Sequence, residues 1–561
     1  MKTARGRKMG RSHFAVPKGV LFILVGLACT TPAQTPASAR SNQFSSVWVA
    51  DNGDGTYRNP IIHADYSDPD AIRVNDDYYL VASSFNCVPG LPILHSKDLV
   101  NWKIIGHALE RQQPDEIFRK PQHGNGVWAP AIRYHKGEFF IFYPDPDRGI
   151  YMLKATDPTG PWSEPVLIKQ AKGWIDPCPL WDNDGKAYLV SAMAASRSGI
   201  KSILIVSRMS EDGTKLLGDG AIVFDGHDQN PTVEGPKFYR RNDYYYIFAP
   251  AGGVEKGWQL VLRSKNIYGP YEARRVLVQG QTEINGPHQG AWVDTQTSES
   301  WFIHFQDKGA YGRVVHLEPM RWTGDWPVIG TDPDGDGVGE PVVTFKKPNV
   351  GRAWPITTPA DSDEFNESAV GHQWQWQANP ETNWMFPATG SGFARLFNVT
   401  LPAGYRNFWD MPNLLLQKFP APEFTATTKV TFTSHAENEK AGLIVMGLDY
   451  AYLAIQQKNG AMYVSQTICK DADRQTAEIE GVPVALRANS IYLRVTVARN
   501  AVCTFSFSTD GVKFITAGPP FTARQGKWIG AKVGIFAVGA GTAREMGYAD
   551  FDWFRLQKES S

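Results

Sequence analysis

The sequence predicts an all-β chain, a five-bladed β-propeller followed by a β-sandwich. Three observations carry that expectation. A short pattern recurs five times between residues 68 and 303. A second, independent pattern recurs with the same period. Both patterns stop before residue 360, and the remainder alternates apolar and polar residues without a long period. Fixed-period self-similarity built on strand pairs is the signature of a propeller with one blade per repeat.

Each copy of the first pattern opens on a functional side chain beside Pro or Gly, passes a polar turn and enters an aromatic run. Blade one runs from Asp68-Pro69 to Tyr78-Tyr79-Leu80-Val81, and blade two from Trp128-Ala129-Pro130 to Phe139-Phe140-Ile141-Phe142. Blade three runs from Asp176-Pro177 to Tyr188-Leu189-Val190, and blade four from Glu234-Gly235-Pro236 to Tyr244-Tyr245-Tyr246-Ile247-Phe248. Blade five runs from His288-Gln289-Gly290 to Trp301-Phe302-Ile303. The second pattern is a basic or small residue, then Asp or Asn, then an aromatic. It reads Ser96-Lys97-Asp98 with Trp102, Ala155-Thr156-Asp157 with Trp162, and Ser264-Lys265-Asn266 with Tyr271. Blades three and five keep it only loosely. Such a run suits an outer hairpin packed under the next strand.

Asp332-Pro333-Asp334-Gly335-Asp336-Gly337 resembles the start of a calcium loop, but the twelfth position is Val343 rather than Glu, so a solvated turn is expected. Residues 346–360, with Pro348, Pro355 and Pro359, read as a linker between a propeller at 47–345 and a sandwich at 361–557. Strands such as Thr427–Phe432 and Ile491–Val497 with Gly-rich turns between them suit a sandwich. Trp374, Trp376 and Trp384 are expected in its core rather than as sugar platforms. Cys87, Cys178, Cys469 and Cys503 show no metal-ligand spacing, and a Cys469–Cys503 bridge is left open.

Six basic residues precede the apolar run Val20–Ala28, which is too short to span a bilayer. With Ala37-Ser38-Ala39 as a cleavage site, residues 1–39 read as a signal peptide, so the chain is expected to be secreted or periplasmic. Lipid anchoring through Cys29 is the second reading. The 57 basic and 57 acidic residues cancel, so nothing points to nucleic acid.

In a propeller the innermost strands line one axial pit, so the five leading residues converge. Asp68, Asp176 and Glu234 are expected at matching positions on blades one, three and four. One such Asp would be an ordinary turn residue. Three together cost free energy through repulsion and desolvation, and suit a metal or acid–base chemistry. Glycoside hydrolysis needs one protonated carboxyl and one ionised carboxylate, and a third would hold the acid's pKa up. Trp128 either stacks on a sugar ring or packs the channel wall. His288 either hydrogen-bonds, holds a central water or cation, or is structural.

These residues resemble a known family. Tyr66-Ser67-Asp68-Pro69-Asp70, Trp128-Ala129-Pro130, Trp174-Ile175-Asp176-Pro177, Glu234-Gly235-Pro236, Gly286-Pro287-His288 and Tyr311-Gly312-Arg313 are similar to the motifs of glycoside hydrolase family 43. The resemblance implies a five-bladed propeller that inverts anomeric configuration. It implies Asp68 as general base, Glu234 as general acid and Asp176 as pKa modulator and orienter. It places Trp128, Arg313, His288 and Phe85 among the substrate-binding residues. No cofactor is required by it, with a structural calcium near His288 as the one metal to look for. Asp70 stands where Ser is common, adding a fourth acid near the pit, and Ala131 where Asp often stands. The tail from Asp363-Glu364-Phe365 through Trp374-Gln375-Trp376 resembles the concanavalin-like jelly roll of the family's β-xylosidases and α-L-arabinofuranosidases. The expected partners are xylan or arabinoxylan oligosaccharides, with no nucleic acid and no membrane span. The rival functions are an endo-arabinanase, which needs an open groove, and a non-catalytic carbohydrate-binding propeller.

Overall fold

The computed structural model describes residues 44–387, 392–401, 404–539 and 545–558. The signal-peptide and Cys29 expectations lie outside the described residues. Among those described, five four-stranded antiparallel sheets form the blades. Their first strands are Asp70–Val74, Ala131–His135, Trp174–Trp181, Lys237–Arg241 and His288–Asp294. The first strand of blade five packs on that of blade one and closes the ring. In blades one, two and four the first hairpin turns through two residues, with Asn75, Lys136 and Asn242 in left-handed backbone. That geometry matches strand twist.

The second sequence pattern has a plain role. Ser96 Oγ accepts from the backbone N–H of Leu99, and Asp98 Oδ1 from that of Asn101. Ser264 and Asn266 do the same for the backbone N–H groups of Asn266 and Tyr268. The small and acidic residues therefore cap the turn between the third and fourth strands.

The ends of the propeller are stitched together. Thr56–Arg58 pairs with Thr344–Lys346. The Asn59 amide donates to the carbonyls of Leu317 and Val342, both at 2.9 Å, and its oxygen accepts from Leu317 N–H. A polar belt crosses the blades lower down. Asp70 accepts from Ile132 N–H and from Arg133 at 2.7 Å, and Arg133 donates on to Cys178 Sγ. This corrects the expectation for Asp70. It is not a fourth acid of the pit but half of a buried ion pair tying blade one to blade two. Asp332 accepts from the backbone N–H groups of Gly335 and Gly337, making the expected turn.

The C-terminal part is a β-sandwich of a nine-stranded and an eight-stranded sheet among the described residues. Trp374, Trp376 and Trp384 are buried in its core, as expected. The bridge between Cys469 and Cys503 does not form. The two thiols lie on different sheets, Cys469 against Thr476 and Cys503 against the Ala501 carbonyl. Burial pushes the Cys503 thiol up to about 12.

The sandwich docks directly on the propeller. Val88 and Trp376 exchange backbone hydrogen bonds. Tyr311 Oη donates to the Pro422 carbonyl and accepts from Ala501 N–H, both at 2.9 Å. Lys532 reaches Cys87 Sγ at 2.8 Å in a buried contact. Among the described residues no helix is long and apolar enough to cross a membrane.

Candidate active site

The leading residues of the blades surround a cavity of about 110 Å³. Asp68, Asp176, Glu234, Trp128, His288, Arg313 and Phe85 all line it, so every site residue expected from the sequence is brought together. They do not, however, hold one repeat position. Counting back from the hairpin turns aligns Asp68-Pro69 with Ala129-Pro130, Asp176-Pro177 and Gly235-Pro236. The backbone agrees, because Asp68, Asp176 and Gly235 have φ of 55°, 55° and 59°. Trp128 and Glu234 stand one residue earlier. Each donates its backbone N–H to a prolyl carbonyl of the neighbouring strand, Pro144 at 3.0 Å and Pro250 at 3.1 Å. Asp68 and Asp176 thus form one set, and Trp128 and Glu234 another.

Left-handed backbone is costly for a residue with a Cβ and persists where surrounding structure enforces it. Here proline follows immediately, and tight hydrogen bonds hold each carboxylate. Asp68 Oδ2 accepts from Ser83 Oγ at 2.6 Å and Ser67 Oγ at 3.1 Å, and its Oδ1 from Arg313 at 2.9 Å. An ionised carboxylate is an acceptor only, so three donors suit it to act as a base. Asp176 Oδ2 accepts from Gly235 N–H at 2.7 Å, which ties blade three to the residue beside Glu234.

Asp176 is 2% exposed, whereas the Glu234 side chain keeps 25% of its surface. Burial, and then the charge of Glu234, push the Asp176 carboxyl well above the usual range, with Asp68 adding to the effect. The Gly235 N–H and Lys237 oppose it. Asp176 therefore keeps its proton to higher pH than a solvated carboxyl does.

His288 is buried, with Nε2 3.0 Å from Glu234 Oε1. Its Nδ1 is buried without a protein partner among the described residues. That leaves one ring nitrogen for a cation that takes six to eight oxygens. The residues fit calcium poorly. Trp128 donates its indole N–H to the Gly124 carbonyl, with Arg197 over the ring at 5.2 Å. Phe85, with φ 51°, is fixed by backbone hydrogen bonds to Val127.

Sequence reasoning missed Trp528. It lies in the sandwich, in a loop with φ 66°, yet it lines the same cavity and meets Trp128 edge-on at 6.3 Å. Its one signal is an aromatic bracketed by glycines, Gly526-Lys527-Trp528-Ile529-Gly530. Asp65 holds this loop in place. Its Oδ1 accepts from Arg313 N–H at 2.9 Å and its Oδ2 from Gly530 N–H at 3.0 Å. Gly124 is required where the loop crosses, since a Cβ there would stand 2.8 Å from the Lys527 carbonyl oxygen.

A propeller pit with one hydrogen-bonded carboxylate, a buried carboxyl of raised pKa beside a more exposed one, and aromatic walls has the equipment to cleave a glycosidic bond by acid and base. The protein is a glycoside hydrolase. Residues 57–327 match the model of glycosyl hydrolases family 43, and residues 362–557 that of the beta xylosidase C-terminal concanavalin A-like domain. The chain is 40% identical to a putative beta-xylosidase of Xylanibacter ruminicola, across 89% of this chain and 93% of that one. It is 31% identical to a non-reducing end alpha-L-arabinofuranosidase of Bacteroides ovatus, across 89% and 94%. The crystal structure of a xylan beta-1,4-xylosidase from Bacillus halodurans superposes with a TM-score of 0.79 at 25% identity, across 90% and 100%. The chain belongs to glycoside hydrolase family 43.

Proposed function

We propose that this enzyme is an exported, exo-acting, inverting glycosidase that removes xylose or arabinofuranose from the non-reducing ends of xylan-derived oligosaccharides. The observation that carries the reading is a small pit bounded on one side by the sandwich. Three carboxylates in distinct environments share a small cavity, and Trp528 walls off one side. An endo-acting enzyme needs a groove open at both ends, and a non-catalytic binding propeller has no use for three carboxyl groups gathered in one pit. The beta-xylosidase and arabinofuranosidase relatives support both sugars, whose hydroxyls present similar geometry to a small pocket. The charged-then-apolar order of the N-terminus supports export.

In this mechanism Asp68 removes a proton from water, whose oxygen attacks the anomeric carbon. Glu234 gives its proton to the departing glycosidic oxygen as the C–O bond breaks. Asp176 keeps Glu234 protonated and, through Gly235, positioned. Blade five separates blade four from blade one, so acid and base face each other across the pit. That suits the separation of roughly 6.5–9.5 Å that leaves room for a water. One experiment tests substrate and mechanism together. Proton NMR follows hydrolysis of paired aryl β-D-xyloside and α-L-arabinofuranoside before mutarotation. We expect turnover of at least one, with the opposite anomer formed first. A retained anomer would remove Asp68 from its role, and turnover of neither substrate would overturn the specificity.

A further inference from the structure

We infer that blade five contains a structural metal site, built by His304, His316 and Glu318 and suited to zinc. The three residues lie on adjacent antiparallel strands, Ser300–Asp307 and Arg313–Thr323. His304 is directly opposite His316, and Glu318 follows two residues on, so all three side chains share one face. All are buried, and one ligand atom from each lies within 4.8 Å of the others.

The hydrogen bonds around them leave a specific deficit. His304 Nδ1 lies 3.1 Å from the Phe305 carbonyl oxygen, which can only accept. Nδ1 therefore carries the proton, and a neutral His304 points the lone pair of Nε2 at Glu318 Oε1, 3.1 Å away. A lone pair facing a carboxylate oxygen is repulsive unless a cation lies between them. A proton would do, as an imidazolium–carboxylate pair or, since burial raises the Glu318 carboxyl, as a neutral carboxyl donating to the imidazole. It would leave His316 unexplained, since both ring nitrogens of that buried residue lack a protein partner among the described residues. A dication answers both, displacing the proton and taking the His316 lone pair as a third ligand.

The surroundings resemble those of metal ligands elsewhere. A metal-bound histidine commonly donates its other nitrogen to a carbonyl, as His304 does to Phe305. Glu318 is oriented by Val342 N–H at 2.7 Å and Asn59 Nδ2 at 3.3 Å. Ligand atoms 3.1 Å apart are compatible with two bonds of about 2.0–2.1 Å meeting at a zinc ion. Two imidazoles and one carboxylate are a common zinc donor set, with room for a fourth ligand. Asn59 and Val342 come from the two ends of the propeller, so the ion would staple the ring where it closes. Enclosed as it is, the site would fill during folding.

The test uses untagged full-length protein, unfolded and refolded with zinc chloride or with a chelator, then passed through chelator and gel filtration. We expect about one tightly held zinc per chain by mass spectrometry, and a melting temperature several degrees above that of chelator-refolded protein. His316→Gln and Glu318→Gln should lose the zinc, while His435→Gln, at a partly exposed histidine far along the chain, should keep it. Wild type without zinc, or all variants retaining it, would overturn the site. If the two blade-five variants do not refold, cobalt replaces zinc in the wild type. The visible band of a four-coordinate cobalt ion supports the site, and the weak spectrum of six-coordinate cobalt rejects it.

Discussion

In the sandwich, the strand Ser490–Ala498 buries every second side chain, and those are Ile491, Leu493, Val495 and Val497. At the inner rim of the propeller, the residues where blades one and three begin are also buried, but they are Asp68 and Asp176 in left-handed backbone. The sandwich follows the period of two that strand geometry dictates. The rim breaks it, and replaces apolar contact with short hydrogen bonds and mutual repulsion. Stability and chemistry are therefore drawn from different places. The sandwich interior is free to be packed well, while the rim holds charge that packing alone would reject.

The sharpest way to break this contrast is to remove the acid. Glu234→Gln should lower kcat/KM on unactivated oligosaccharides by about 10²–10⁴-fold while sparing aryl glycosides with good leaving groups. Steady-state rates on both classes decide it, and equal losses would take Glu234 out of the role. The mirror experiment is Trp374→Ala in the sandwich core. It should cost about 3–5 kcal/mol in denaturant unfolding, with kcat at low temperature nearly unchanged. A large loss of kcat in the folded variant would show the two regions are not separate.

Trp528→Ala tests the one side chain that crosses between them. Since it is half exposed, its melting temperature should move little. Loss of an aromatic contact worth about 0.5–1.5 kcal/mol should lower kcat/KM by roughly 2- to 12-fold. Unchanged kinetics on xylobiose and longer substrates would deny the sandwich a part in the pit.

Asp176→Asn gives the smallest and most diagnostic effects. With the carboxylate beside Glu234 replaced by an amide, the basic limb of the kcat/KM profile should move to lower pH. Stability should respond with the opposite sense. A buried Asp with a raised folded pKa binds its proton more tightly folded than unfolded, so its contribution is lost as pH rises above about 3.9. The Asn variant escapes that loss. It should match wild type near pH 4 and melt at a higher temperature than wild type at neutral pH. A pH-independent difference in melting temperature would argue that Asp176 is not destabilised by its charge.

The contrast also explains what the sequence made legible. The blades were readable because turns and aromatic runs are local signals, and the Trp residues of the tail because apolar patterning is local too. The one-residue offset between Asp176 and Glu234 was hidden because matching by carboxylate identity overrode matching by the following proline. Proline fixes backbone geometry, and longer Glu reaches the pit from the earlier position. Asp70 misled because its partner, Arg133, is on the next blade. Trp528 was invisible for the same reason on a larger scale. Its place beside Trp128 depends on how two domains dock, and no local pattern encodes that.

Asp65 gives the docking a further meaning. One carboxylate grips the backbone of Arg313 with one oxygen and the sandwich loop with the other. The propeller is therefore not a portable catalytic module. Cutting the chain in the linker would uncover Tyr311 and Val314, which are buried in the same core cluster as the sandwich, and would free one side of the grip on Arg313. An engineer who wishes to retune this enzyme has to carry both halves, and can use the loop around Trp528 as the dial.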